Sequence, residues 1–212
     1  NGTNRIINNT TGELRIQTDG AMRLMTTGLA VTDENNSDTI INAQADGAVS
    51  LYYDNSKKFE TTNDGISITG MSTVTTGAHF QGMLREDCNI VANKLSAGTN
   101  IDLEDGMVHY YSTNETTTAT PNIRYSSTYT LNNKMSTGEA VTVSIIYKPN
   151  GAGYYAALNV DGSGVTEEWN GGSAPTGGGS SGYDVYTYTL IRKAAGTGDT
   201  GWITLANVSN FA

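Results

Sequence analysis

"GAVSLYYDNSKKFETTNDGISITG", residues 47–70, decides how this chain is read. Val49 and Leu51, then Ile66 and Ile68, alternate with polar residues, which is the two-residue period of a half-buried strand. The stretch "YYDNSKKFE" between them reads as a hairpin through a polar turn. Each strand offers only two apolar side chains. At about 25 cal/mol per Å2 of apolar surface buried, such strands fall short of the entropy lost on ordering them. Something outside one copy of the hairpin must cover them.

The same material occurs twice. "IIN" at 6–8 returns at 40–42, "DGAMRL" at 19–24 returns as "DGAVSL" at 46–51, and "TGLAVT" at 27–32 returns as "DGISIT" at 64–69. Residues 3–32 and 37–69 are therefore two copies of one unit, the second longer by its hairpin. Leu14, Ile16, Met22, Leu24, Leu29 and Val31 continue the alternation in the first copy. The economical cover is identical chains wrapped round a threefold axis, each hiding the others' apolar faces. Residues 1–70 are expected to form such a stalk.

Residues 71–120 read as a connector in the same style. Leu84, Cys88, Val91 and Leu95 have helix-like spacing, so one short helix is expected at 83–95, with Cys88 a small buried apolar residue. "TNETTTATP" at 113–121 reads as a linker. From about 121 the strands lengthen. "AVTVSIIYK" at 140–148 aligns Val141, Val143, Ile145 and Tyr147 on one face, and the turn "KPNGAG" leads into "YYAALNV" at 154–160 as an expected hairpin. "IRYSSTYTL" at 123–131, "YDVYTYTLIRK" at 183–193 and "WITLANV" at 202–208 are further strands. Residues 121–212 are expected to form a small antiparallel sandwich or jelly roll. The expected fold class is all-β, an elongated trimeric repeat stalk followed by a sandwich head.

A net charge of −9, with 25 glycines and 3 prolines among 212 residues, sets outer limits. An acidic chain lacks the clustered Lys and Arg that phosphate binding needs, so nucleic acid is not an expected partner. Its apolar runs are too short to insert in a bilayer as a helix. A single cysteine excludes an intrachain disulfide framework. A chain opening "NGTNRII" without Met reads as part of something longer.

The stretch at 47–70 resembles hairpin repeats of tail-fibre-like structural proteins from marine bacteriophages, including those infecting cyanobacteria. "LREDCNIVANKLSAGTNIDLEDG" at 84–106 is similar to a connector of that group. "EWNGGSAPTGGGSSGYDVYTYTLI" at 168–191, with the terminal "NFA", resembles its C-terminal module, through Trp169, Gly171, Gly172, Pro175, Asp184 and Tyr186. The resemblance implies a homotrimer located in the virion, anchored through other virion proteins on its N-terminal side, and brings no catalytic residue or cofactor. A fibre head contacting a host surface glycan or protein is the expectation. A capsid spike or filament subunit without receptor contact is the first alternative, and a glycan depolymerase head the second.

Chemical motifs are weak. Ser180 in "GGSSG" fits G-x-S-x-G, but lacks a preceding hydrophobic strand, a following helix and a downstream His. "GGSSGYDVY" has one residue too many for the calcium-binding nonapeptide, and occurs once. "DENNSD" at 33–38 lacks EF-hand spacing and reads as a turn cap. His79 and His109 stand thirty residues apart with no zinc-like spacing, and are read as surface or packing residues rather than axial ion ligands. Glu86-Asp87 and Glu167-Glu168 point to opposite sides of a strand and make poor acid–base pairs. No catalytic or metal residue is expected. Tyr154, Trp169, Asn170, Gly171, Gly172, Tyr183 and Trp202 gather around glycine-rich loops and are the candidate ligand-contact residues, with 170–182 as the contact loop. The competing reading places Tyr186 and Tyr188 in the core and packs Trp169 beneath its own loop.

Overall fold

A computed structural model describes residues 19–21, 24 and 26–212. Most of the first repeat copy, including Leu14, Ile16 and Met22, lies outside the described residues. The chain is predominantly β and divides into two compact units, the first ending at His79 and the second spanning Phe80–Ala212.

The first unit is a single antiparallel meander of β1 (Gly28–Thr32), β2 (Thr39–Gln44), β3 (Val49–Tyr53), β4 (Ser56–Thr62) and β5 (Gly65–Ile68), in that order. Its turns follow from residues that tolerate left-handed backbone. Asp54 and Asn55, at φ of 49° and 53°, form the two-residue tip between β3 and β4. Asp33 closes the "DENNSD" turn by accepting from the backbone N–H groups of Ser37 at 2.6 Å and Asp38 at 2.9 Å. Asn55 ties the two turns together, accepting from Thr39 N and donating to the Ser37 carbonyl, both at 2.8 Å.

Residues directly opposite one another across a sheet share a face. The register aligns Val31, Ile41, Leu51, Phe59 and Ile68 in one row across all five strands. Leu29, Ala43, Val49, Thr61 and Ile66 form the neighbouring row. The other face carries Ala30, Asn42, Ser50, Glu60 and Ser67. Within this unit, among the described residues, no second layer covers the apolar rows: Leu51 is 41% exposed, Ile66 63% and Ile68 46%. The equivalence of "TGLAVT" and "DGISIT" is visible here, since β1 and β5 put Leu29/Val31 and Ile66/Ile68 on the same face.

The second unit has two sheets around one core. The larger runs β13 (Glu167–Trp169), β15 (Trp202–Phe211), β14 (Tyr183–Arg192), β10 (Ala140–Pro149), β8 (Val108–Glu115) and β6 (Cys88–Val91). The smaller runs β12 (Ser163–Val165), β11 (Leu158–Val160), β9 (Asn122–Arg124) and β7 (Asn100–Asp102). Val143, Ile145, Tyr147, Tyr186, Tyr188 and Leu190 from the first meet Ile101, Ile123, Leu158 and Val160 from the second. A single helical turn, α1 (Leu131–Lys134), has its first N–H groups held by the Asp161 carboxylate at 2.7 and 2.9 Å.

Several expectations are corrected. The sheets are mixed rather than antiparallel, because β6–β8, β8–β10, β13–β15, β7–β9 and β9–β11 are parallel pairs. The compact unit begins at Phe80 and not near 121, since β8 lies between β10 and β6 inside the larger sheet. The expected helix at 83–95 is instead strand β6 followed by a 3-10 turn at Leu95–Ala97: pairing with β8 outweighs a weak helical pattern. That edge strand leaves Cys88 exposed rather than buried. "TNETTTATP" is no linker. Glu115 is fully buried, and accepts from Ser96 N and Oγ at 2.9 and 2.7 Å, from Thr116 N and Thr117 N, and from the Tyr155 hydroxyl at 3.2 Å. The 140–160 segment is a crossover from one sheet to the other, not a hairpin, and only Ile123 and Arg124 of "IRYSSTYTL" lie in a strand, β9.

The "GGGSSG" run is built by close backbone approach. Gly182 sits at φ +69°, and a Cβ there would lie 1.6 Å from the Phe211 carbonyl oxygen. Gly171, at φ +84°, faces open space. Gly182→Ala is therefore expected to lose on the order of 3 kcal/mol of unfolding free energy, and Gly171→Ala about 1 kcal/mol, as measured by urea denaturation.

Candidate functional site

The seven candidate contact residues do not form one site. Trp169, at the end of edge strand β13, is half-buried and turns its ring edge-on to Tyr186 and Tyr188, with centroids 6.1 and 6.2 Å away. Asn170 donates its backbone N–H to the Ala206 carbonyl at 2.8 Å and its side-chain amide to Asn207 at 3.1 Å. Gly171 and Gly172 make the turn that follows, closed by Gly172 N on the Trp169 carbonyl at 2.9 Å. Trp169 and Asn170 line a shallow groove of about 390 Å3 with Thr187, Thr189, Leu205 and Asn207.

Tyr183 opens β14 opposite Phe211, five residues from Tyr188 and so roughly 17 Å along the strand from Trp169. It packs edge-on to Tyr110 at 6.1 Å, with the Lys148 ammonium 5.7 Å from its ring. Tyr154 is half-buried in the crossover and its carbonyl accepts from Ala119 N at 3.3 Å. Trp202 is a core residue, 2% exposed, whose indole N–H donates to Asn132 at 3.0 Å while the Arg192 guanidinium stacks 5.0 Å from the ring. Almost all of its ring is taken up by the core, although it borders a cavity of about 260 Å3 with Thr166 and Asp199, so it is chiefly a packing residue rather than the exposed contact expected. The far end of loop 170–182 is pinned as well: Gly178 N donates to the Gly151 carbonyl at 3.2 Å, and Gly179 N to Asp184 at 2.9 Å. Asp184, fully buried, also accepts from Tyr147 and from Asn210 at 2.6 Å, so it organises that loop.

A different concavity lies at the open edge of the second unit, where β6 and β7, the edge strands of the two sheets, face each other. It measures about 250 Å3, and Asn89, Asn100, Asp102, Asp105, His109 and Tyr111 line it. His109 on β8 is 1% exposed. Its Nε2 is 2.9 Å from the Gly106 carbonyl and its Nδ1 is 3.3 Å from the Asn89 amide. That pairing suits a neutral ring, donating from Nε2 and accepting at Nδ1. Asp102 is gripped through both oxygens by Arg124, with Nη2 to Oδ2 at 3.1 Å. Burial pushes the Tyr111 phenol up to about 12, with the Asp102 charge adding to the effect.

Sequence reasoning missed this cavity because its residues come from strands of two different sheets. No spacing marks them; only the alternation Asn100-Ile101-Asp102 places polar side chains on one side of a strand. Among the described residues no cluster of three or more His, Cys, Asp or Glu side chains is placed to hold a metal ion, and no helix is long and apolar enough to cross a membrane.

Burial holds the His109 pKa below its ordinary value, against the opposing pull of the Gly106 carbonyl and of Asp105 and Asp102. The unfolded chain, with an ordinary pKa near ~6.5, then binds more protons on acidification than the folded one. Stability from this group is whole above about pH 6.5 and declines as pH falls toward the folded pKa. His109→Gln should flatten the fall in Tm between roughly pH 7 and 5.5, read by calorimetry on both proteins. Comparison with family models, curated proteins and solved structures found no match to this chain.

Proposed function

We propose that this chain is a non-enzymatic structural protein of a bacteriophage virion, a homotrimeric fibre whose C-terminal unit contacts the host cell surface. The observation that carries the reading is the bare apolar face of the first unit. A single five-stranded layer with Val31, Ile41, Leu51, Phe59 and Ile68 in one row has no core of its own among the described residues. Three copies turning these rows toward a common axis bury them. Each Leu or Ile so covered contributes up to about 1.5–3 kcal/mol when buried from full exposure.

The sequence supports the viral assignment through its resemblance at 47–70, 84–106 and 168–191. The second unit supports the contact role: it is a rigid two-layered body presenting the Trp169–Asn170 groove and the cavity between β6 and β7. The net charge of −9 keeps neighbouring particles apart.

Sedimentation equilibrium of the chain should return three times its 22.4 kDa. Leu51→Glu combined with Ile68→Glu places uncompensated carboxylates in the packed rows, and is expected to yield monomer with loss of cooperative melting in the first unit. A compact wild-type monomer would refute the trimer. Electron microscopy of labelled particles tests location: label at the tail tip supports the reading, and label on the capsid replaces it with a spike.

A further inference from the structure

We propose that the cavity at the open edge between the two sheets, walled by β6, β7 and β8, binds a single neutral sugar ring. This deepens the reading above, on which it rests for the source of the sugar, a glycan on a cell surface.

Size is the first argument. At about 250 Å3 the cavity falls just below the span of drug-sized ligand pockets, so it suits one ring rather than a chain or a peptide. Lining chemistry is the second. Asn100 accepts from Asn122 at 2.7 Å, which leaves its amide N–H groups to donate. Asp105 receives only a long contact of 3.5 Å from Asn89 and keeps acceptor capacity. Tyr111 is 3% exposed, lines the cavity, and its hydroxyl makes no hydrogen bond among the described residues. The Tyr111 oxygen is not among the buried unpartnered polar atoms, so it stands open to the cavity, where a ligand hydroxyl can pair with it. Donors and acceptors intermixed at close quarters match vicinal hydroxyl groups, each of which both donates and accepts.

The charge balance excludes the competing ligand classes. Asp102 is paired with Arg124, and Asp105 is offset by Lys94 at the rim, whose ammonium is on Thr116 at 2.9 Å, so the cavity offers no net charge for a phosphate or carboxylate to pair with. A cation finds no cluster of three acidic or imidazole ligands there. His109, satisfied on both ring nitrogens, fixes the wall rather than titrating in it.

The test uses the full chain, observed by amide NMR, titrated with methyl glycosides of glucose, galactose, mannose and N-acetylglucosamine, and with calcium chloride and inorganic phosphate as charged probes. At least one glycoside should bind with millimolar affinity and shift the Asn89, Asn100 and Asp105 signals. Tyr111→Phe, which keeps the ring in the core, and Asp105→Ala should each weaken it about tenfold. Thr187→Ala, in the Trp169 groove, should leave it unchanged. No shifts with any glycoside up to about 50 mM would overturn the site. Binding insensitive to both variants would overturn it too, as would a response to calcium or phosphate alone. Adsorption of the chain to host cells is measured separately. Cell binding that survives Asp105→Ala, with no glycoside shifts, overturns the sugar site and leaves the surface-contact role standing. Glycoside binding without cell binding supports the site and removes that role.

Discussion

Two buried carboxylates, Glu115 and Asp184, hold the interior of the second unit in register. Both are fully buried, and neutral donors satisfy both. Glu115 gathers Ser96, the 116–117 backbone and the Tyr155 hydroxyl; Asp184 gathers Tyr147, Gly179 and Asn210. Between them lie the rings of Tyr147, Tyr155 and Tyr186, with centroids 4.6–5.9 Å apart. Removing Glu115 would leave the Tyr155 hydroxyl and backbone N–H groups without their acceptor, each worth roughly 1–3 kcal/mol. Two core tyrosine tips end on these acids, Tyr155 on Glu115 and Tyr147 on Asp184, while the Tyr186 hydroxyl accepts from Tyr155 N and the buried Tyr188 hydroxyl has no hydrogen-bond partner among the described residues.

The first unit answers to the opposite constraint. Among its described residues it has no buried network and no second layer, only two rows of aliphatic side chains and a phenylalanine on one side of a sheet. The two units thus treat the same composition differently: one closes its glycine- and tyrosine-rich strands over a core, the other, among its described residues, leaves an apolar face open.

The surface features follow from these solutions. Aromatic residues that sequence alone places at a contact loop are drawn inward wherever a core needs them, as Trp202 is by Asn132 and Arg192. The edge between β6 and β7 stays open because the smaller sheet ends there, and polar side chains occupy the gap. A polar-lined cavity therefore lies where the two sheets end, and the glycine loop, held to Gly151 and Asp184, is partly scaffold.

The sequence by itself determined the all-β class, the inward faces of the long strands at 140–148 and 183–192, and the hairpin at 52–60, because strand alternation and turn residues are local signals. Leu29/Val31 and Ile66/Ile68 could be equated from the repeat alone, and the register puts them on one face. Tertiary structure alone decided that β8 belongs with β10, that 113–121 dives inward under Glu115, and that Cys88 stays outside. Those outcomes rest on parallel pairings and on polar side chains satisfied by partners tens of residues away. Tyr155 reaching Glu115 across forty residues leaves no periodic trace. Hydrophobic period is written along the chain, whereas the partner of a buried carboxylate is written only in space.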